Sequence, residues 1–130
     1  EGSYGDTVTQ NYRLEPFLGL ERLIAAYALA DVIVSRAGAG SIFEIALLGK
    51  PAIFIPLSIK SSRGEQITNA TELVKYGAVM IEEDNLTPHI FLNRIEYLLK
   101  PDIYPSVSEK LKSFAAPDAA EKIAAVLLGP

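Results

Sequence analysis

Small and polar residues that could bind a ligand are concentrated in one short segment between an apolar run and a helical pattern, Arg36-Ala37-Gly38-Ala39-Gly40-Ser41. Glycine has no Cβ, so Gly38 and Gly40 allow backbone amides to approach a ligand closely. The N-terminus of a following helix adds unsatisfied N–H donors and about half a positive charge. The segment therefore favours binding of an anion such as a phosphate or diphosphate.

The same residues also allow a purely structural interpretation. The two glycines can simply form a tight turn between a strand and a helix. Ser41 and Glu44 have the S-x-x-E spacing of a capping box, in which the two side chains satisfy the helix N-terminus. A single Gly-x-Gly is less specific than the full dinucleotide-binding fingerprint. Spacing alone therefore leaves both interpretations open.

A second polar segment, residues 60–66, lies between the next two apolar patterns. Gln66 and Asn69 are three residues apart, so a helix beginning near Glu65 would present both amides on one face. Paired donors and acceptors in fixed positions suit the hydroxyl groups of a sugar. The alternative is a solvated loop followed by the polar first turn of a helix.

Composition excludes several other kinds of site. The chain has no cysteine, which removes disulfides, thiolate nucleophiles and cysteine-bound metals, and its one histidine, His89, cannot form a histidine cluster. A net charge of −4 opposes binding to nucleic acid. The longest apolar run, residues 23–30, is far shorter than the roughly 20 residues that span a bilayer. We expect a soluble, cytoplasmic protein with no metal site and no nucleic-acid partner.

The elements that position these segments follow from the hydrophobic pattern. Apolar runs alternate with helical periodicity, which predicts one Rossmann-like α/β domain over residues 1–130, with a parallel sheet of about four strands and helices on both faces. Ligands of such sheets bind beyond the carboxyl ends of the strands, where both polar segments fall. Residues 1–6 are predicted to be flexible. The predicted strands are 7–14, 32–34, 52–55 and 78–81, and the predicted helices are 20–28, 41–48, 65–76, 88–99, 107–114 and 118–128.

Several motifs in this order resemble the C-terminal, nucleotide-sugar-binding domain of the MurG family of glycosyltransferases. They are ADVIVSRAG, the small-residue turn before the helix with Glu44, Gly49-Lys50-Pro51, Ile55-Pro56-Leu57 and RGEQITNA. The resemblance runs from about Glu15 to Pro88. It implies half of a two-domain GT-B fold, and inverting transfer of GlcNAc from UDP-GlcNAc to lipid I, giving lipid II in peptidoglycan synthesis. It implies no cofactor and no bound metal.

The resemblance also implies roles for individual residues, none of them catalytic. The uracil would contact the backbone at Leu18, and the ribose hydroxyls would bind the carboxylate of Glu44. The diphosphate would lie along the helix start, at Gly38, Ala39, Gly40 and Ser41. The sugar would bind the second polar segment, at Gln66, Asn69 and Glu65, where Glu65 stands in the place of a second glutamine of some family members.

The implied partners are UDP-GlcNAc, an N-terminal GT-B domain, and lipid I held by that domain. The chain begins at Glu1 and its one methionine is Met80, so we expect a fragment of a longer protein that is inactive alone. The longer protein would be peripheral on the cytoplasmic face of the membrane. Two alternatives remain: another GT-B transferase with a different lipid or polyprenol acceptor, and a non-enzymatic nucleotide-binding module.

Overall fold

A computed structural model of the chain describes residues 11–115 and Asp118. The predictions for residues 1–6 and for nearly all of helix 118–128 lie outside these residues. The described elements are α1 (Leu20–Leu29), β1 (Ile33–Ser35), α2 (Ala39–Leu48), β2 (Ala52–Phe54), α3 (Ile59–Ser62), α4 (Glu65–Val74), β3 (Val79–Met80), a 3₁₀ turn (Glu83–Asn85), α5 (Pro88–Leu98) and α6 (Tyr104–Phe114).

The strands form a parallel sheet in the order β1-β2-β3, flanked by helices, which confirms the predicted α/β class. Ile33 is opposite Ala52, and Ile53 is opposite Val79. The described residues contain three strands, slightly fewer than predicted. Of the strand predicted at residues 7–14, residues 7–10 lie outside the described part, and residues 11–14 join no ladder. Its Tyr12 and Leu14 are exposed.

The core is centred on β2, whose three residues are all fully buried. This explains why its sequence is continuously apolar rather than alternating: both of its faces are buried. α6 packs against α2, α2 also contacts α4, and α5 contacts β2. The largest buried side chains are Phe54, Ile45, Ile53, Leu73, Leu98 and Leu111.

Two helix ends agree with their sequence signals. Gly49 follows α2 in the left-handed conformation, at φ 63°, and its N–H donates to Ala46 O at 2.9 Å. Thr87 caps α5, its hydroxyl accepting from Ile90 N at 3.2 Å, and Pro88 occupies the first helical position. Both signals are local, so the sequence predicts them correctly.

Helix α1 forms as predicted, but its apolar face is not buried within the described residues. No residue of α1 is fully buried, and Leu20 and Ile24 are 74% and 58% exposed. Lys50 anchors its C-terminal end, since Nζ donates to Ala28 O at 3.1 Å and to Ala30 O at 2.9 Å. A cation there complements the negative end of the helix dipole. Among the described helices, none has the length and apolarity required to cross a bilayer.

Candidate functional site

The centre of the candidate site is the start of α2, directly after β1. Gly38 is the N-cap, with φ −63° and ψ 149°, and the helix begins at Ala39. The first helical hydrogen bond runs from Ile42 N to Gly38 O at 3.1 Å. The amides of Ala39, Gly40 and Ser41 therefore belong to the first turn, whose N–H groups have no acceptor within the helix. The helix start thus offers a cluster of backbone N–H donors; that this cluster binds an anion stays a prediction.

The capping-box interpretation of Ser41 and Glu44 is wrong. The helix begins two residues earlier than predicted, so Ser41 is its third residue and Glu44 lies in the second turn. No side chain caps this N-terminus. Ala37, directly before the N-cap, has a left-handed φ of 64°.

The space in front of the helix start is open. A Cβ added at Gly38 or at Gly40 would meet no atom within 4 Å, and neither glycine has a positive φ. Neither protein packing nor backbone conformation therefore requires glycine at these two positions. What the glycines provide is room beside the amides.

Glu44 lies three residues beyond Ser41, hence on the same side of α2 and about one turn, or 5 Å, further along. Its side chain is exposed, and Oε2 accepts a hydrogen bond from Tyr27 Oη at 3.2 Å. Burial raises the pKa of the Tyr27 phenol, and the hydrogen bond and the charge of Glu44 raise it further. An ionised carboxylate can accept about four hydrogen bonds, so Glu44 has capacity for further donors.

The two predicted sugar-binding amides make specific bonds to the backbone. Gln66 Oε1 accepts from Leu57 N at 3.0 Å, in the loop after β2. Asn69 Nδ2 donates to Ala37 O at 3.1 Å, in the turn after β1. The first half of α4 therefore connects both loops at the carboxyl edge of the sheet. Glu65, its first residue, is exposed.

Leu18 is half-buried in the irregular segment that leads into α1. Helix α1 in turn supplies Tyr27, the partner of Glu44.

For Arg36, which lies in the first polar segment at this edge, the sequence predicted no contact. Its Nη1 donates to Ile55 O at 3.3 Å and pairs with Glu83, so it links the ends of β1 and β2 to the turn after β3. Opposite charges after parallel strands were the available signal, because those strand ends meet at one edge. Arg36 and Glu83 border a cleft of about 410 Å³, which is also lined by Val34, Ser35, Ile55 and Leu86.

Residues 11–115 bring together no group of three or more histidine, aspartate or glutamate side chains that could hold a metal ion. The chemistry that these residues offer is backbone donation at the start of α2, carboxylate acceptance at Glu44, and amide contacts at α4.

Comparison with known proteins gives a consistent family. Residues 4–123 match the family model described as glycosyltransferase family 28 C-terminal domain. Proteins named UDP-N-acetylglucosamine–N-acetylmuramyl-(pentapeptide) pyrophosphoryl-undecaprenol N-acetylglucosamine transferase are similar. The one from Clostridium kluyveri is 43% identical over 72% of this chain, and the one from Haemophilus influenzae is 34% identical over 95%. This chain spans only 26% and 34% of their respective lengths.

Solved structures give the same result. The crystal structure of Acinetobacter baumannii MurG matches 85% of this chain with a TM-score of 0.72 and 28% identity, and the match covers 31% of that protein. The glycotransferase of kitacinnamycin matches 79% of the chain with a TM-score of 0.60 at 24% identity, a likeness of fold alone, and covers 27% of that protein. The family-model match, the sequence relatives and the MurG structure together show that this chain belongs to the glycosyltransferase family 28 C-terminal domains.

Proposed function

We propose that this chain is the UDP-GlcNAc-binding part of an inverting glycosyltransferase that transfers GlcNAc to lipid I to make lipid II. The names of the relatives support the reaction. The structural observation that most supports the donor site is the open first turn of α2 at the carboxyl edge of the parallel sheet, with Glu44 one turn further along.

In this proposal the diphosphate of the donor lies against the amides of Ala39, Gly40 and Ser41. The N–H groups of these amides and the positive end of the helix dipole stabilise the negative charge of the diphosphate. Glu44 accepts from the ribose hydroxyls through charge-assisted hydrogen bonds. The backbone near Leu18 contacts the uracil. The GlcNAc ring lies toward the first turn of α4, near Glu65 and Gln66.

The reaction is a displacement at the anomeric carbon of GlcNAc. The acceptor hydroxyl forms the new bond to that carbon, and the bond to the diphosphate oxygen breaks, leaving its electron pair on UDP. Negative charge develops on the departing diphosphate, and the preorganised amides of α2 stabilise it. We assign this stabilisation to the helix start rather than to a cofactor or metal. The proton of the acceptor passes to a base outside this chain.

The acceptor site and that base belong, in this proposal, to an N-terminal GT-B domain of a longer protein that is peripheral on the cytoplasmic face of the membrane. Support comes from the lengths of the relatives, of which this chain spans about a quarter to a third. The partners are thus UDP-GlcNAc, that domain and, through it, lipid I.

A transfer assay tests the proposal. The full-length protein, given UDP-GlcNAc and a lipid I analogue, should release UDP and form the disaccharide product, and the 130-residue chain alone should not. Release of UDP only with another lipid or polyprenol acceptor would point to a different transferase. Nucleotide binding without transfer to any acceptor would indicate a binding module.

A further inference from the structure

The turn that starts α2 contains a backbone conformation that its own residue type disfavours. Ala37 is fully buried and has a φ of 64°. In the left-handed region the Cβ of an L-residue crowds the following carbonyl, which is why glycine usually occupies such positions. The conformation persists only if the surrounding structure holds it. Ala37 directly precedes the N-cap Gly38, so it determines the direction in which the first-turn amides point.

One side chain holds this residue from a distance of 32 positions. Asn69 Nδ2 donates to Ala37 O at 3.1 Å, and the pair is partly buried. The carbonyl of Ala37 is in the peptide plane that joins Ala37 to Gly38, so the bond fixes that plane. Asn69 is itself placed by α4, where Gln66, one turn earlier, accepts from Leu57 N at 3.0 Å.

We infer that Asn69 is a positioning residue: it holds the left-handed turn at Ala37, and through it aims the first-turn amides of α2 at the diphosphate of the ligand. This inference rests on the proposed function. It assigns Asn69 a task that does not depend on the sugar. The two roles are separable because UDP contains the diphosphate but lacks GlcNAc.

The first test compares affinities for UDP and for UDP-GlcNAc in the 130-residue chain. Asn69→Ala should weaken both ligands equally, by about fivefold, the effect of one net hydrogen bond. The control is Thr71→Ala on the same helix, because the Thr71 hydroxyl is exposed and, among residues 11–115, donates to Ile67 O of its own helix at 2.8 Å and to no other group. It should leave both affinities unchanged. Loss of affinity for UDP-GlcNAc alone, or for neither ligand, would overturn the inference.

A second substitution tests the mechanism. Glycine adopts positive φ without the steric cost, so a chain with Ala37→Gly should keep the turn even without Asn69. The loss of UDP affinity caused by Asn69→Ala should therefore shrink to about twofold or less when residue 37 is glycine. An equal loss in both backgrounds would show that Asn69 does not act through Ala37.

Thermal unfolding gives a readout that needs no ligand. It compares the wild type, Asn69→Ala, Ala37→Gly and the double variant that combines the two substitutions. Asn69→Ala should lower Tm by about 4 °C with alanine at residue 37, and by about half that or less with glycine. If the wild-type chain fails to bind UDP, the proposed donor site is wrong for this chain, yet this coupling still decides whether Asn69 holds the turn. Additive changes in Tm would reject the positioning role.

Discussion

At the scale of single residues, Glu44 is the side chain for which the structure excludes one of the two interpretations of the sequence, the capping of α2. It lies inside α2 rather than at its cap, and its partner is the Tyr27 hydroxyl at 3.2 Å. Glutamine in its place would still accept from Tyr27 but would carry no charge. Substitution with glutamine therefore separates ligand binding from folding.

We predict that Glu44→Gln in the full-length protein leaves Tm almost unchanged. It should lower kcat/KM for UDP-GlcNAc by about 10- to 100-fold, or about 1.5–3 kcal/mol, because neutral hydrogen bonds to the ribose replace charge-assisted ones. Glu96→Gln, at an exposed position of α5, is the control and should change neither quantity. A lower Tm with unchanged kinetics would mean that Glu44 serves only to hold α1 through Tyr27.

Tyr27 provides a pH-dependent test of the same contact. Its pKa is raised above the ordinary value of 10.0, first by burial and then by Glu44. The folded state thus favours the neutral phenol, and this contribution to stability is complete below pH 10 and is lost as the pH rises through the raised pKa. The wild type should therefore lose more stability on alkaline titration than Tyr27→Phe.

Ultraviolet difference spectra between the wild type and Tyr27→Phe report the phenol directly. In Glu44→Gln the midpoint of the Tyr27 titration should fall but stay above the ordinary phenol pKa of 10.0, because burial, the larger cause of the raised pKa, remains. A midpoint unaffected by Glu44→Gln would show that the two side chains do not interact in solution.

At the scale of elements, the glycines near the two ends of α2 have opposite requirements. Gly40 faces open space, whereas Gly49 has a φ of 63° and a Cβ there would lie 2.9 Å from Ser108 O. Gly40→Ala should stabilise the helix by about 0.5–1 kcal/mol while weakening UDP binding by about tenfold, because the methyl group occupies the ligand's space. Gly49→Ala should cost about 2–4 kcal/mol and leave UDP affinity of the folded protein unchanged.

Calorimetric unfolding and UDP titration of the two variants check this pair. Weaker UDP binding in Gly49→Ala, or unchanged binding in Gly40→Ala, would place the ligand somewhere other than the start of α2.

How well the sequence predicts each element depends on whether its signal is local. The end of α2 at Gly49 and the start of α5 at Thr87 and Pro88 are predicted correctly, since neighbouring residues determine them. The start of α2 is predicted two residues late: the positive φ of Ala37 precedes it, and Ala37 O accepts from Asn69, 32 positions away. No periodicity reports such a bond.

At the scale of the whole molecule, the alternation of strands and helices predicts the parallel sheet and places both polar segments at its carboxyl edge. Two contacts across that edge were not predicted. Arg36 pairs with Glu83, for which opposite charges after parallel strands were the available signal. Leu57 N donates to Gln66 Oε1, and no sequence pattern signals a bond between a loop amide and a side chain nine positions later. None of the predicted ligand roles is tested by the structure, and all remain predictions: those of Gly38, Ala39, Gly40, Ser41, Glu44, Leu18, Gln66, Asn69 and Glu65.

The charge of the chain gives a prediction about membranes. Its net charge is −4, so an anionic lipid surface should repel it. The 130-residue chain should therefore remain in the supernatant when anionic vesicles are sedimented at physiological salt, and neutral vesicles provide the control for apolar adsorption by exposed residues such as Phe17 and Leu20. Cosedimentation with anionic vesicles alone would contradict this.

The most direct test of the donor site is a titration of the isotope-labelled chain with UDP-GlcNAc, followed by amide resonances. Saturable shifts should be largest at Ala39, Gly40 and Ser41, with a smaller response at Glu44, and UDP should reproduce those at the start of α2. No saturable binding, or binding that leaves these amides unshifted, would contradict the assignment of the donor diphosphate to this helix.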